Sequence, residues 1–473
     1  MSLAEQPLAD RPAPSAEAMM AWIATIVGEG IRRPGSDADQ AVTSWAADQL
    51  TSMGLSVELE PLSVPVWDFR SASLTVWPAG EPARAQVFEG FALPHTRSGA
   101  LEAPIVRWDG TAPIDGAIAV ENIDFATIVQ SELRALATSC HDPEGEFDHL
   151  AQTIPFGRRE QRIAEPAMTA GADGFVGVLT GQPWDGCDYY VPYDASFRPV
   201  HGVWVSRADL SRLDAILAAG EAVARIEVDA TASEGVTYNV VATLPGPGDE
   251  WVVIGSHHDA PWASAVEDAS GVALVLAQAH YWSSVQSEDR PHNLMFLLTG
   301  AHMAGGAGTS AFLERHADLL SSVVAEVHLE HVAARVEPDG AGGMLTTDQP
   351  EVRWWFTSES PQLQQAVQEA LERHDLRRSM VVPPEIFMEH PPTDGGRFHL
   401  HGVPLVDFLS APPYLFDAAD TIDKVHVASL EPVTDAVIDI VTSLGETSAK
   451  QLRDSVVAHP DAPQLPVLDR ATR

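Results

Sequence analysis

Hydrophobic and polar positions along the chain change rhythm three times. From Ser15 to about Met53 apolar residues recur at helical spacing, and Gly30 to Ser36 divides this stretch into two predicted helices. Gly54 is placed to end the second as its C′ glycine. Leu55-Ser-Val-Glu-Leu-Glu-Pro then alternates as a half-buried strand does, and strand-like pieces follow at Ala72–Trp77 and Ala103–Trp108. From about 91 to 224 short β-like runs (Gly116–Val120, Gly174–Leu179, His201–Val205) are separated by Gly, Pro and Asp clusters, which predicts a separate strand-rich domain. After about 225 the rhythm is α/β. Trp251–Ser256, Asn293–Leu298 and Val324–Leu329 are continuous apolar runs, with helices predicted over Ser270–Val285 and Gly308–Leu320. Buried strands alternating with helices imply a largely parallel sheet covered on both faces, whose ligands gather at the carboxyl ends of the strands.

Those strand ends carry the unusual residues. The first run ends in His257-His258-Asp259, and Asp268 follows just ahead of a helix. The second ends in Thr299-Gly-Ala-His302-Met303, and the third in His328-Leu-Glu330-His331. His257, Asp268 and Glu330 could therefore meet on one rim as ligands of a divalent metal. A chain this acidic, with 18 histidines, also places some His and Asp at strand ends by chance. Asp259, two residues after His257 on an extended strand, points the same way and is placed to accept the histidine's other N–H. By the same alternation His258 and His331 point away from their neighbours and read as structural.

Composition narrows the function. The 473 residues include 28 Lys+Arg against 67 Asp+Glu, a net charge of −39, which argues against nucleic acid and against an anionic membrane surface. Hydrophobic residues make up 45%, enough for a large core. No signal peptide and no membrane-spanning apolar run is visible, so a soluble cytoplasmic protein is expected. Cys140 and Cys187 are too few for a disulfide framework and read as buried thiols or one bridge. The first 15 or so residues read as disordered and the last 20 or so as a tail.

Several segments together resemble a family. Asn239-Val-Val-Ala-Thr-Leu-Pro-Gly, Val253-Ile-Gly-Ser-His-His-Asp, Glu267-Asp-Ala-Ser-Gly-Val-Ala, Phe296–Gly308, Val327–His331, Thr393–Pro404 and Tyr414–Val425 resemble the zinc aminopeptidases and carboxypeptidases, in the family's order. The resemblance implies an α/β fold: a mixed, mostly parallel sheet sandwiched by helices, with an inserted β-rich domain of protease-associated type. The expected division is 1–90 and 225–450 for the catalytic domain, 91–224 for the insert and 451–473 for the tail. It also implies two zinc ions bridged by one Asp, matched to Asp268 with a cis peptide after it. His257 and Glu330 match the other ligands of one zinc, and Asp259 matches the Asp of His-x-Asp.

The pattern then breaks. The family's Glu-Glu pair, base followed by ligand, falls on His302-Met303, and its last His ligand falls on Phe416. A thioether is a poor ligand for such an ion and a phenyl ring is none. The expectation is therefore one divalent ion, zinc first, with Mn, Fe, Co or Ni also fitting, on His257, Asp268 and Glu330. The second ion's help with the oxyanion and with a substrate's free amino terminus is lost. His302 replaces the base carboxylate, Asp259 orients and Tyr414 is placed to donate to an oxyanion. Asp394 matches a substrate-side Asp, with Arg397, His399 and His401 in the same loop, and Trp262 is a candidate pocket wall. The leading reading is a mononuclear metal-dependent hydrolase of an amide or similar C–N bond. Its rivals are a recruited metalloenzyme with lyase or small-molecule chemistry and an inactive binding protein. A small-molecule or short-peptide substrate is expected, and a homodimer is the oligomeric expectation.

Overall fold

The computed structural model describes residues 13–157 and 163–457. Most of both expected tails lies outside the described residues, although the stretch assigned to the C-terminal tail begins inside a helix, Ala449–Ser455, closed by a capping box of Ser448 and Gln451. The two N-terminal helices are Ala16–Gly28 and Asp37–Ser52. Ser15 and Ser36 cap them by accepting from Ala18 N and Asp39 N. Gly54 takes φ +88°, the left-handed conformation a helix stop requires.

The expected α/β class holds. Strand Trp251–His257 is flanked in parallel by Asn293–Thr299 and Val323–Leu329, and Val323–Leu329 pairs in parallel with Leu405–Leu409. Arg353–Thr357 then runs antiparallel to Leu405–Leu409 and parallel to Ser379–Val382. These strands read as unbroken apolar runs because both faces are covered. Helix Gly271–Ser283 packs on one face, with Ala16–Gly28 and Val427–Ser443 outside it. Phe312 and Phe398, from Ala307–Arg315 and Gly395–Leu400, pack on the other with Val253, Met295 and Leu297.

Two strands are far longer than expected. Ser56–Pro78 and Ala222–Leu244 pair antiparallel along nearly their whole length, so the pieces at 55–61 and 72–77 are one strand. Pro61 and Pro65 sit within Ser56–Pro78, whose lower half has Ala222–Leu244 as its one ladder partner, so its other edge can lack N–H donors. The outer halves of both strands continue into Gln86–Ala92, His201–Ser206, Gly174–Leu179, Ile118–Asn122 and Gly99–Arg107, and the pairings close on themselves. The boundaries expected at 90/91 and 224/225 thus fall in or beside strands of one continuous fourteen-stranded sheet.

The segment 91–224 also reaches back over the strands Arg353–Thr357 and Ser379–Val382. Ser139–His141 extends the sheet beside Ser379–Val382, and the antiparallel pair Phe125–Val129/Ala151–Gly157 covers Trp354 and Phe356. Cys140 and Cys187 are free thiols, half-buried and buried. Among the described residues no helix is long and apolar enough to cross a membrane.

Asp417 fastens the two parts. Its backbone bridges to Tyr189, and its carboxylate accepts from Gln182 Nε2 at 2.7 Å and from Ala419 N at 2.8 Å. Burial, with Asp188 nearby, pushes this carboxyl up to about 7. A folded-state value above the unfolded one means the folded protein holds a proton the unfolded chain has released, so stability falls as pH rises from about 4 to about 7. Wild-type protein is expected to gain roughly 2–3 kcal/mol between pH 8 and pH 5 from this group. Asp417→Asn should remove that slope, because Gln182 can rotate to present its unpartnered Oε1 to the new amide. Urea unfolding of both proteins at the two pH values measures the difference.

Candidate metal centre and active-site cavities

The ends of strands Trp251–His257, Asn293–Thr299 and Val323–Leu329 converge, as topology requires of parallel neighbours, and what meets there is a cluster of buried imidazoles and carboxylates. His257 fixes its ring by placing Nδ1 2.9 Å from the Asp259 backbone carbonyl. With Nδ1 as the donor, Nε2 carries the lone pair and lies 3.3 Å from Glu267 Oε1 and 3.8 Å from Glu330 Oε1. His331 repeats the device: Nδ1 is 2.8 Å from the Ser410 carbonyl, and Nε2 is 2.6 Å from Glu267 Oε2 and 3.5 Å from Glu330 Oε2. His257 Nε2, His331 Nε2 and both Glu267 oxygens are buried without a hydrogen-bond partner among the described residues.

Three expectations are corrected here. The carboxylate facing His257 belongs to Glu267, not to Asp268, and the cis peptide lies between Glu267 and Asp268 instead of after Asp268. Asp268 turns into the protein, where its oxygens accept from Ser256 Oγ, Gly271 N and His331 N, and burial pushes it up to about 7. His331 is not directed away from the site. At φ +54° it leaves the strand's alternation, which swings its ring onto the same side as Glu330. His258 does behave as expected, fixed between Asp39 and the Tyr238 carbonyl.

Asp259 and Tyr414 are also placed differently. The Asp259 carboxylate accepts from His302 N at 3.0 Å and Met303 N at 2.7 Å, so it holds the turn after the second strand; only its backbone oxygen meets His257. Tyr414 is wholly buried and donates to the Ala334 carbonyl at 2.9 Å, out of reach of an oxyanion role. Met303 and Phe416 are buried and apolar. Phe416 is fixed by Tyr193 at 5.0 Å and Phe156 at 5.2 Å, and Trp262 donates to its carbonyl.

His302 stands at the rim. Its ring stacks on His257 at 4.0 Å and on Tyr193 at 5.6 Å, and Nδ1 is 3.2 Å from Asp394 Oδ1. Burial alone would raise Asp394, but His302, His257 and His328 outweigh it and hold this carboxyl well below the usual range. Beneath the cluster, His328 links Glu326 and Glu330 at 2.9 Å on each ring nitrogen. His399 pairs with Glu385, and His401 contacts the Arg397 carbonyl, so neither joins the cluster.

Charge tells what the cluster accommodates. Burial disfavours every imidazolium here, yet Glu267, Asp268 and Glu330 raise His257 well above its ordinary value and push His331 up to about 10. The site thus favours positive charge between these atoms, which a divalent cation can supply in place of ring protons. His257, Glu330 and His331, and likewise His257, Glu267 and His302, place donor atoms within 4.8 Å of one another. A tetrahedral ion with bonds of about 2.0–2.2 Å keeps its ligand atoms roughly 3.3–3.6 Å apart. The separations of 3.3, 3.5 and 3.8 Å fit that, and the contact of 2.6 Å has to open.

Comparison with known proteins agrees with this construction. Residues 239–441 match the model of peptidase family M28, in line with the resemblance carried by the motifs of that segment. The whole fold is similar to a peptidase M28 precursor from Shewanella amazonensis SB2B (TM-score 0.69, 19% identity, 91% of this chain and 93% of that one). It is similar too to the zinc aminopeptidase BSAP from Bacillus subtilis (0.64, 16%, 93% and 96%) and to an aminopeptidase from Aneurinibacillus sp. strain AM-1 (0.63, 18%, 92% and 94%). No curated protein sequence matches the chain.

Asp420 is a residue the sequence reading passed over. Its carboxylate accepts from Val266 N and from Glu267 N at 2.8 Å, holding the loop that aims Glu267. Asp420→Ala leaves two buried N–H groups unpaired and is expected to cost about 1–3 kcal/mol for each. Asp420→Asn keeps an acceptor and should lose less, which denaturant titration of the two variants distinguishes.

Proposed function

We propose that this chain is a hydrolase using a single divalent metal ion, zinc by preference, to cleave an amide or similar C–N bond. The observation that carries the reading is the convergence of His257 Nε2, His331 Nε2 and the Glu267 and Glu330 carboxylates at one buried point. The private ligands of a second ion are replaced by Met303 and Phe416, which supports one ion instead of two. Bound there, the ion supplies a Lewis acid that polarises a carbonyl and brings water toward ionisation near neutral pH.

The chain's own groups do the rest. His302 is the general base: it is the imidazole at the rim that faces both cavities, and Asp394 orients its ring through Nδ1. Nε2 is then the atom that takes a proton from water and returns it to the leaving nitrogen. Asp259 positions the base by gripping the His302 and Met303 amides, and His328 positions Glu330. The substrate is a small molecule or short peptide, and the setting is cytoplasmic. Recruitment to non-peptidase chemistry is the second reading, favoured by the apolar Phe416 where a substrate's amino terminus would need an ion.

Elemental analysis of protein as isolated is expected to find about one ion per chain, and hydrolysis of an amide panel should stop with a chelator and return with zinc. Protein without metal, indifferent to chelators, would overturn the reading. Glu267→Gln should lose most of its metal, whereas Asp268→Asn should keep it and show only lowered stability. His302→Ala should retain metal and lower kcat by about 10²–10⁴-fold; unchanged kcat removes His302 from the chemistry.

A further inference from the structure

Two cavities meet at His302, and they differ in character. One is a narrow slot of about 50 Å3, walled by Ile128, Ile154, Phe156, Trp354, Leu409 and Phe416, with Glu267, Glu330 and His331 at its floor. The other, about 310 Å3, opens beyond His302 and is lined by Asp194, Gly305, Gly306, Thr393, Asp394 and Arg397. Phe156, Tyr193 and His302 belong to both, so a molecule seated in both passes its middle across the base.

The second cavity presents a guanidinium that no carboxylate contacts directly among the described residues. Asp194 is paired with Arg198, at 3.1 Å to Nη1 and 2.9 Å to Nη2. Asp394 is paired with His302 and accepts from Thr299 Oγ1. Arg397 is half-buried, gives one N–H to the Gly305 carbonyl, and has no carboxylate partner among the described residues. In a chain with 67 acidic residues against 28 basic ones, an arginine facing a cavity with its neighbouring acids already paired is a prepared carboxylate site. The slot is the opposite case. With Glu267 and Glu330 engaged by the ion, an ammonium group placed there would be desolvated against Phe416, Leu415 and Ile154, at a cost an apolar wall cannot offset.

We propose that the substrate is an N-acylated amino acid, or an N-acyl carboxylate of the same build, with no free amine on its acyl part. The inference rests on the hydrolase reading and names the substrate of that site. A short or branched alkyl acyl group fills the slot, which is smaller than the cavity of about 150 Å3 that takes a benzene ring. The amide carbonyl lies at the strand ends beside His302, and the carboxylate of the amine part meets Arg397. Water adds across the C–N bond: its oxygen joins the acyl carbon, the C–N bond breaks, and the nitrogen leaves with the proton His302 carries. The products are a short carboxylic acid and a free amino acid.

Three substrates of one skeleton test this on the metal-loaded protein: N-isovaleryl-alanine, N-isovaleryl-alaninamide and valyl-alanine. N-isovaleryl-alanine is expected to exceed the alaninamide by about 10–100-fold in kcat/KM, and valyl-alanine by at least as much. Arg397→Gln should level the first ratio through KM, and Arg397→Lys should restore part of it. Should Arg397→Gln fail to fold, the wild-type ratios and Arg397→Lys decide. Calorimetric titration of the first two compounds into His302→Ala protein reads the same preference without turnover. Valyl-alanine as the best substrate, or equal handling of carboxylate and carboxamide, overturns the proposal while leaving the hydrolase reading intact. Absence of all hydrolysis, with the carboxylate still bound about 10-fold more tightly than the carboxamide, overturns the hydrolase reading instead.

Discussion

A carboxylate leaves water only if donors or positive charge meet it in the interior, and this requirement organises everything around the strand ends. Seven buried carboxylates crowd there: Asp259, Glu267, Asp268, Glu326, Glu330, Asp394 and Asp407. Backbone amides of the His302 turn receive Asp259, and Ser256, Gly271 N and His331 N receive Asp268. His328 receives Glu326, His302 receives Asp394 and Thr393 receives Asp407. Glu267, with one side of Glu330, faces imidazoles alone. The loops are shaped by those pairings, and the place left over is the place a cation is needed.

The same requirement explains why imidazoles suit positions 302 and 331. An imidazole donates from one nitrogen and accepts at the other, so it can be held by a backbone oxygen or an acid while its second nitrogen faces the site. His331 does this with Ser410, and His302 with Asp394. Arg32 contributes the one permanent charge beneath the cluster: wholly buried, it donates to the carbonyls of His258, Ser264 and Glu267 and so ties the loop to the N-terminal segment. Burial lowers its guanidinium to about 10, while Asp420, Asp268, Asp259 and Glu267 pull it back toward the charged form.

Periodicity made the sheet legible, because buried parallel strands are continuous apolar runs and their helices carry a 3.6-residue repeat. It made His257, His302 and Glu330 legible as well, since each lies at or just beyond the end of such a run. It failed wherever the backbone leaves both periods. Glu267 (φ −95°, ψ 98°) and Asp268 (φ −121°, ψ 38°) sit in neither strand nor helix geometry, so which of two adjacent acids faces His257 could not be told from alternation. His331 escaped for the same reason. The hydroxyl of Tyr414 and the carboxylate of Asp259 were assigned by their neighbours in the sequence, but each is used up by a local backbone partner. The long strand Ser56–Pro78 was divided because Pro61 and Pro65 look like breaks until a partner strand supplies the ladder, and Ala222–Leu244 was cut by the domain boundary expected at 224/225.

The net charge of −39 bears differently on the surface and on the site. With two lysines in the whole chain, and most arginines engaged in surface ion pairs or bound to carbonyls, the protein has few cations to spare for its interior. Near the candidate centre histidine takes that part, because it can be neutral when a metal is present and protonated when it is not. A lysine at the His331 position would compete with the ion by offering a fixed charge to Glu267; an imidazole yields to it. The four imidazoles of the cluster, His257, His302, His328 and His331, are thus the means by which an acidic chain keeps seven carboxylates buried without closing the site to a cation.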